Sequence, residues 1–327
     1  MALIDYVVRR CLQAIPTAVG ITMVIFLCIQ LAPGGPLDYF LASNPELTYQ
    51  DPELIERLKV VYGLDQPIYI QYLKWLSRVL VGDFGISFSH GSNIIDEIAS
   101  RMGDTLILYA FSHLLGWPIA IFLGVISAVK RYSWTDNAAM ILALFGISMP
   151  AFWMGLMMIF GFSLNLGWFP TGGTITLGIT FASIGTYALN RIWHLMLPSV
   201  NIATHSTATI ARLTRSSMLD ILRMDYVMTA RAKGVRELVV IYKHALRNAL
   251  LPVVTVIGLS LGFMISGAVI TETIFSWPGI GRLMMSAVYQ RDYPLVMGIA
   301  TITGMMVLIT NIATDIAYGF LDPRIRY

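Results

Sequence analysis

Charge is what this sequence has least of. Only 13% of its 327 residues are Asp, Glu, Lys or Arg, about half the share of a soluble globular domain. With 56% hydrophobic residues and a mean hydropathy of +0.70, the chain is excluded from the soluble class and assigned to a bilayer. Cysteine is nearly absent as well. Cys11 and Cys28 lie on one apolar segment, and at about 1.5 Å per helical residue they stand roughly 25 Å apart, too far to pair. They read as small apolar fillers and say nothing of redox compartment.

Catalytic signatures are missing. No G-x-x-x-x-G-K-[ST] phosphate loop occurs, so the chain does not itself hold ATP in the usual cradle. There is no H-E-x-x-H or C-x-x-C, and the nearest serine pattern, "GISFS" at Gly85 to Ser89, lacks the second glycine of a nucleophile elbow. The reading assigns no catalytic residue, no metal site and no cofactor to this chain.

Uncharged stretches long enough to cross about 30 Å of hydrocarbon predict six helical spans. They lie within Cys11 to Leu31, from about Thr105 to Val129, from Asn137 to Leu166, between Arg191 and Arg212, from near Asn248 or Leu251 to Glu272, and between Asp292 and Asp315. The stretch Thr174 to Leu189, rich in Gly, Thr and Ser, reads as an external loop. No carboxylate falls inside a span; Glu272, Asp136 and Asp315 sit at span ends. A carrier driven by protons or sodium generally needs such a group at the midplane, so the energy for any transport comes from outside this chain.

Orientation follows the cations. Arg9 and Arg10 precede the first span, and Lys130 and Arg131 follow the second. Arg212 to Arg247 holds eight cations against three anions, net +5, whereas Ala32 to Asp104 holds ten acids against five bases, net −5. The positive-inside rule then places both termini in the cytoplasm, the acidic segment outside and the basic one inside. A seventh span at Thr174 to Leu189 would put a strongly basic loop outside. The pI near 8.8 reflects this segregation and gives no ground for a nucleic-acid partner. No small-x-small pattern closes the first apolar run before "LAPGGP", so it reads as a retained anchor rather than a cleaved signal. The expected organisation is an N-terminal anchor helix over 1–31, a small external segment over 32–104, and a core over 105–318. The core has five transmembrane helices and a cytoplasmic loop at 212–247, and a tail covers 319–327.

One stretch is conspicuous: "ARAKGVRELVVIYKHALRNALLPVV", Ala230 to Val254. Burying eight cations at roughly 2.5–3.5 kcal/mol each would cost about 20 kcal/mol or more, so the basic segment stands in water. Yet Val235, Leu238, Val239, Tyr242 and Leu246 recur at three- and four-residue spacing, an apolar stripe that needs a partner. A basic helix resting on anionic lipid is one reading. A short helix docking on another protein, with Gly234 as its turn, is the other.

The stretch resembles the cytoplasmic "EAA" loop of ABC-importer permeases. That motif reads E-A-A, three residues, Gly, nine residues, I-x-L-P. Here Gly234 matches, while Met228-Thr229-Ala230 stands for E-A-A and His244-Ala245-Leu246-Arg247 for I-x-L-P. The departures are similar to the variant in the dipeptide, oligopeptide and nickel permeases of the "B" type. Further stretches agree in order: "APGGP", "YGLDQPIYIQYLKWL", "GDFGISF", "SMPAFW", "RLTRSSMLDILRMDYVMTARAKG", "HALRNALLPVVTVIG", "ETIFSWPGIGR", "RDYP" and "DPRIRY". The resemblance covers nearly the whole chain. It implies an all-α type I importer permease of a prokaryotic cytoplasmic membrane, working with a second permease, one or two ATPase subunits that hold ATP and Mg, and a substrate-binding protein. Its expected cargo is peptides, with nickel chelates, glutathione or oligosaccharides as alternatives. A secondary carrier and a scaffold without transport are the rival classes.

The resemblance assigns the ATPase contact to Ala230, Gly234, Val235, Arg236 and Leu238, with solvation as the alternative for Arg236. On the fourth span, Asn201, His205, Thr209 and Arg212 are spaced four, four and three apart and share one face. Such a face lines a translocation path or bonds to a neighbouring helix. Glu272 is a candidate for a substrate amine at the outer mouth, or a solvated interfacial carboxylate. His113 and His194 are weaker candidates with no metal spacing. Trp168, Trp277 and Tyr289 are expected at the headgroups. "YIQYLKWL" is expected to form an amphipathic helix in the external segment, on a surface open to the binding protein.

Overall fold

The computed structural model describes residues 2–32, 65–264 and 267–321. The "DPRIRY" stretch and "APGGP" beyond Ala32 lie outside the described residues, as does the start of "YGLDQP". Among the described residues the chain is helical, and its pairing between extended segments is a single bridge, Ile86 with Asn93. By its contacts the chain divides into two compact units, residues 1–103 with 279–327, and residues 104–278.

The first unit contains α1 (Ala2–Gln30), α2 (Ile68–Leu80), the first ten residues of α3 (Ile94–Val129), α11 (Ile280–Tyr289) and α12 (Tyr293–Leu321). Its core is aliphatic: Ile94 and Ile98 of α3 pack on Ile280, Leu283, Ala287, Leu295 and Ile299. Close approach is set by small residues. A Cβ on Gly298 would stand 2.5 Å from Ile94 Cγ2. Where α1 meets α12, the Arg10 guanidinium pairs with Asp315 at 3.1 Å.

The second unit holds the remainder of α3, then α4 (Trp134–Ser148), α5 (Ala151–Met158), α6 (Ile184–Ile221), α7 (Asp225–Ala232), α8 (Glu237–Val239), α9 (Arg247–Phe263) and α10 (Val269–Ile274). Wide π-turns extend α5 through Ile159–Asn165 and join α8 to α9 through Val240–Leu246. Ser133 caps α4 by accepting from the Asp136 N–H at 3.3 Å, and Ser183 with Thr186 forms a capping box at the start of α6. Glycines let the helices touch: a Cβ on Gly124 of α3 would lie 2.5 Å from Thr214 Cβ and 2.7 Å from the Ala211 carbonyl of α6.

Several predicted boundaries move. The third span is not one straight helix. Pro150 forces Met149 into extended backbone (ψ 130°), and the chain bends by 105° between Ser148 and Ala151. The second helix begins at Ile94 rather than near Thr105, and α6 runs on to Ile221, so the first ten residues of the predicted basic loop are helical. Helix resumes at Glu237, ahead of the expected start near Asn248, and the fifth span ends before Glu272, which lies on the separate α10. Of the predicted external loop, Thr174 to Ser183 is non-helical and the rest begins α6. Among the described residues four helices are long and apolar enough to cross a membrane, and the bent pair adds a fifth. The long helix α6 falls short on hydropathy because its central turns carry Asn201, His205 and several threonines.

Candidate functional site

The basic segment folds into a tight corner. Helix α7 ends in a Schellman turn: the Gly234 N–H donates to the Arg231 carbonyl at 2.9 Å and the Val235 N–H to the Ala230 carbonyl at 3.2 Å. Gly234 takes φ +76°, the left-handed conformation that this motif asks of its glycine, and open space surrounds the position of its absent Cβ. Beneath the turn, Val227 and Ala230 pack against Val240, with Val235, Ile221 and Leu222 at the margin. Ala230, expected on the docking face, is therefore buried inside the corner. Leu238 and Arg236 are exposed, and Val235 is half-buried. Leu238 is joined on the outside by Met228, Tyr242 and Val239. Arg231 grips Glu237 through two hydrogen bonds, 2.7 and 3.2 Å, in the open. Asn248 donates to the Tyr226 hydroxyl at 2.8 Å, tying α7 to α9.

The predicted polar face of α6 divides. Asn201 is fully buried and donates from Nδ2 to Thr271 Oγ1 of α10 at 3.0 Å. The next residue of α10, Glu272, is also fully buried, accepting from Thr105 Oγ1 at 3.0 Å and from the Ala268 N–H at 3.3 Å. The structure thus brings Asn201 and Glu272 together and corrects the expectation of a solvated interfacial carboxylate. His205 is half-buried, and Thr209 and Arg212 are exposed. Trp277 is buried as well, its indole N–H donating to the Asp104 carbonyl at 2.9 Å, so it is no headgroup anchor in this chain. Trp168 and Tyr289 are exposed. His194 is a satisfied histidine: Nδ1–H donates to the Gly172 carbonyl at 3.0 Å, which leaves Nε2 to accept from Thr176 at 3.1 Å. His113 stacks on Trp117 with ring centroids 4.5 Å apart. Among the described residues no group of three or more His, Cys, Asp or Glu side chains could hold a metal ion.

Two carboxylate sites had no local signal in the sequence. Asp136, at the start of α4, is buried and receives both arms of Arg215 from α6, at 2.7 and 2.8 Å, with further bonds from Ser127 and the Tyr132 N–H. In the other unit Asp292 is fully buried and accepts from Ser87 Oγ at 2.6 Å, Ser89 Oγ at 2.7 Å, the Ser89 N–H at 2.9 Å and the Leu295 N–H at 3.2 Å. Burial alone would push this carboxyl up, but the four donors outweigh it and hold it below the ordinary aspartate value. Arg215 lies 79 positions from Asp136, and Ser87 and Ser89 lie more than 200 from Asp292, and neither spacing nor periodicity points from one to the other.

Comparison with known proteins adds the family. Residues 120–327 match the family of binding-protein-dependent transport system inner membrane components, and residues 3–109 match its N-terminal companion. The oligopeptide transport system permease protein AppB of Bacillus subtilis is 44% identical over 324 residues, 98% of this chain and 99% of the relative. The dipeptide transport system permease protein DppB of Alkalihalophilus pseudofirmus is 40% identical over 339 aligned residues, 99% of this chain and 100% of the relative. The glutathione transport system permease protein GsiC of Escherichia coli K12 is 38% identical over 326 residues, again 99% and 100%. The chain belongs to the family of binding-protein-dependent transport system inner membrane components.

Proposed function

We propose that this family member forms one half of a peptide-conducting path through the cytoplasmic membrane, paired with a second permease, energised by separate ATPase subunits and loaded by a binding protein. The observation that carries the cargo is the full-length similarity to relatives named for oligopeptide, dipeptide and glutathione transport. Glutathione is itself a small peptide, so the three names share one chemistry.

In this reading the corner around Gly234 meets the ATPase through Leu238 and its exposed neighbours. Arg236 keeps the surface wet, while Ala230 and Val235 hold the corner together from within. The path is served by α6 and α10 through Asn201, His205, Thr209, Arg212 and Glu272. The helix α6 completes six spans with both termini cytoplasmic, its polar groups bonding to neighbours or facing the path.

The complex, reconstituted in liposomes with its ATPases and binding protein, is given labelled di- and oligopeptides. ATP-dependent accumulation is the expected result. Uptake of a nickel chelate or an oligosaccharide in place of peptide would overturn the cargo, and uptake driven by an ion gradient without ATP would overturn the coupling. In a background lacking Cys11 and Cys28, a cysteine at Ser92 should react with an impermeant thiol reagent in intact cells. One at Arg236 should not.

A further inference from the structure

We propose that α2 is an interfacial helix whose outward stripe, Tyr69, Leu73, Leu76 and Leu80, is seated in membrane lipid rather than kept for a protein partner. The stripe comes from the sequence: these residues are spaced four, three and four apart and share one side of the helix, with Lys74 and Arg78 opposite. Tyr69, Leu73 and Leu80 are exposed at 64%, 59% and 78%, Leu76 between them is half-buried, and Val81 just beyond is exposed at 80%. A stripe of large apolar side chains left so open calls for an apolar surround.

Depth identifies the occupant. A second face of α2 packs on α1, where the Tyr72 hydroxyl bonds Thr22 Oγ1 at 3.0 Å, the Tyr72 and Trp75 rings lie 5.5 and 5.8 Å from Phe26, and Gln71 accepts from Gln30 at 2.9 Å. The apolar run of α1 is Val7–Gln30. Thr22 precedes its end by eight residues, which at about 1.5 Å per residue is roughly 12 Å along the helix. The contact therefore reaches well below the end of a segment that is itself about as long as the bilayer requires. On α1, Met23 and Leu27, next in sequence to the contact residues Thr22 and Phe26, are exposed too, so apolar surface is open on both helices. A soluble binding protein docks from water and does not reach side chains at that depth. Lipid already covers the α1 surface and needs only to extend onto α2. Lys74 and Arg78 on the opposite side suit the polar boundary, where an amphipathic helix places its cations. Arg78 in addition holds Asp83 at 2.8 Å. The height of α2 in the interface would thereby position the Gly82–Asn93 loop, whose Ser87 and Ser89 carry Asp292.

The test uses the assembled complex in liposomes, lacking Cys11 and Cys28, with one spin label at a time at Tyr69, Leu73 or Leu80 and, for comparison, at Lys74 or Ser77. Collision with oxygen, which partitions into lipid, is compared with collision with a water-soluble nickel chelate. The expected oxygen-to-nickel ratio is several-fold higher at 69, 73 and 80 than at 74 and 77, in variants that retain peptide uptake. Equal or lower ratios would show that the stripe faces water and is free for the binding protein. Shielding from both reagents would show a protein cover, from the second permease or from residues 33–64. Either result overturns lipid seating, and neither bears on whether the complex transports peptide.

Discussion

Replacing Gly234 separates backbone strain from side-chain contact at the proposed coupling corner. The residue sits at φ +76° with open space around the position of a Cβ, so a Cβ meets no neighbour in this chain and its penalty is conformational. For an L-residue with a Cβ, left-handed backbone costs about 1–2 kcal/mol, and more for a β-branched residue. Asparagine tolerates the conformation and often stands in for glycine at this position of a helix end. Two hydrogen bonds close the turn, each contributing about 0.5–1.5 kcal/mol net, so the strain is of the same size as what it opposes. Since about 1.4 kcal/mol is a factor of ten, the closed turn should lose roughly tenfold in population for Gly234→Ala, more for Gly234→Val and only a few-fold for Gly234→Asn. ATPase retention on purification and ATP-driven uptake in liposomes should fall in that order, with all variants inserted. Arg231→Ala should do less, because an exposed pair contributes about 1 kcal/mol or below. Full retention and full uptake in Gly234→Val would refute a role for the turn. Asparagine as damaging as valine would refute strain as the cause and point to a partner that occupies the open space.

Asp136 and Arg215 form a two-armed pair with the carboxylate buried, so losing either partner should cost about 3–5 kcal/mol. Thermal unfolding in detergent should show Asp136→Ala and Arg215→Ala each well below the parent and the double variant less impaired than their sum; strict additivity would deny the interaction. Gly124→Ala would place a Cβ 2.5 Å from Thr214 Cβ and 2.7 Å from the backbone oxygen of Ala211, an overpacking that costs about 1–3 kcal/mol. Adding Thr214→Ser removes Cγ2, which would stand 2.9 Å from the new Cβ, and should recover part of the loss; no recovery would leave Thr214 Cβ and the Ala211 oxygen as its source. Asp292 has a depressed folded-state pKa, so its stabilisation is complete above the ordinary aspartate value of about 3.9 and is lost as pH falls through the lower folded value. Asp292→Asn should therefore be less stable at pH 7 and flatter through the acid range; parallel acid limbs would count against the assignment.

Elements governed by local chemistry were legible in the sequence. The amphipathic α2 and the turn at Gly234 follow from periodicity or from one residue's backbone preference, and both are found where their residues indicate. The straight third span was not, although "SMP" contains its own break: hydropathy counts carbon and overlooks what Pro150 does to Met149. Burial was the least legible property. Trp277 and Glu272 carry the composition of an interface, yet they close on Asp104 and Thr105, more than 160 positions away, and no local pattern announces such a pairing. Ala230 was placed outside by motif position and went inside because Val227 and Val240 converge on it.

The same difference between expected and observed burial bears on which residues of α6 should answer to transport. At about 1.5 Å per residue its 38 residues span roughly 57 Å, and several polar groups in the central turns have partners, while Ser199 Oγ, Asn201 Oδ1 and His205 Nε2 are buried with none among the described residues. Thr204 and Ser206 bond their own backbone, Thr207 bonds the Gly116 carbonyl, and Asn201 holds Thr271. Thr209 and Arg212 remain exposed on the same face. In the proposed reading a permeating peptide would meet these two directly, whereas Asn201 would act on it by fixing α10. Asn201→Leu leaves the Thr271 hydroxyl without its donor and should lower thermal stability together with uptake. Thr209→Leu breaks no hydrogen bond to a neighbouring helix and should lower uptake with stability unchanged. The measurement is uptake per assembled complex beside the unfolding temperature of each variant. If Asn201→Leu keeps its stability and loses uptake, Asn201 faces the path itself and the division of the face is wrong. If Thr209→Leu transports normally, the exposed turn of α6 lies off the route.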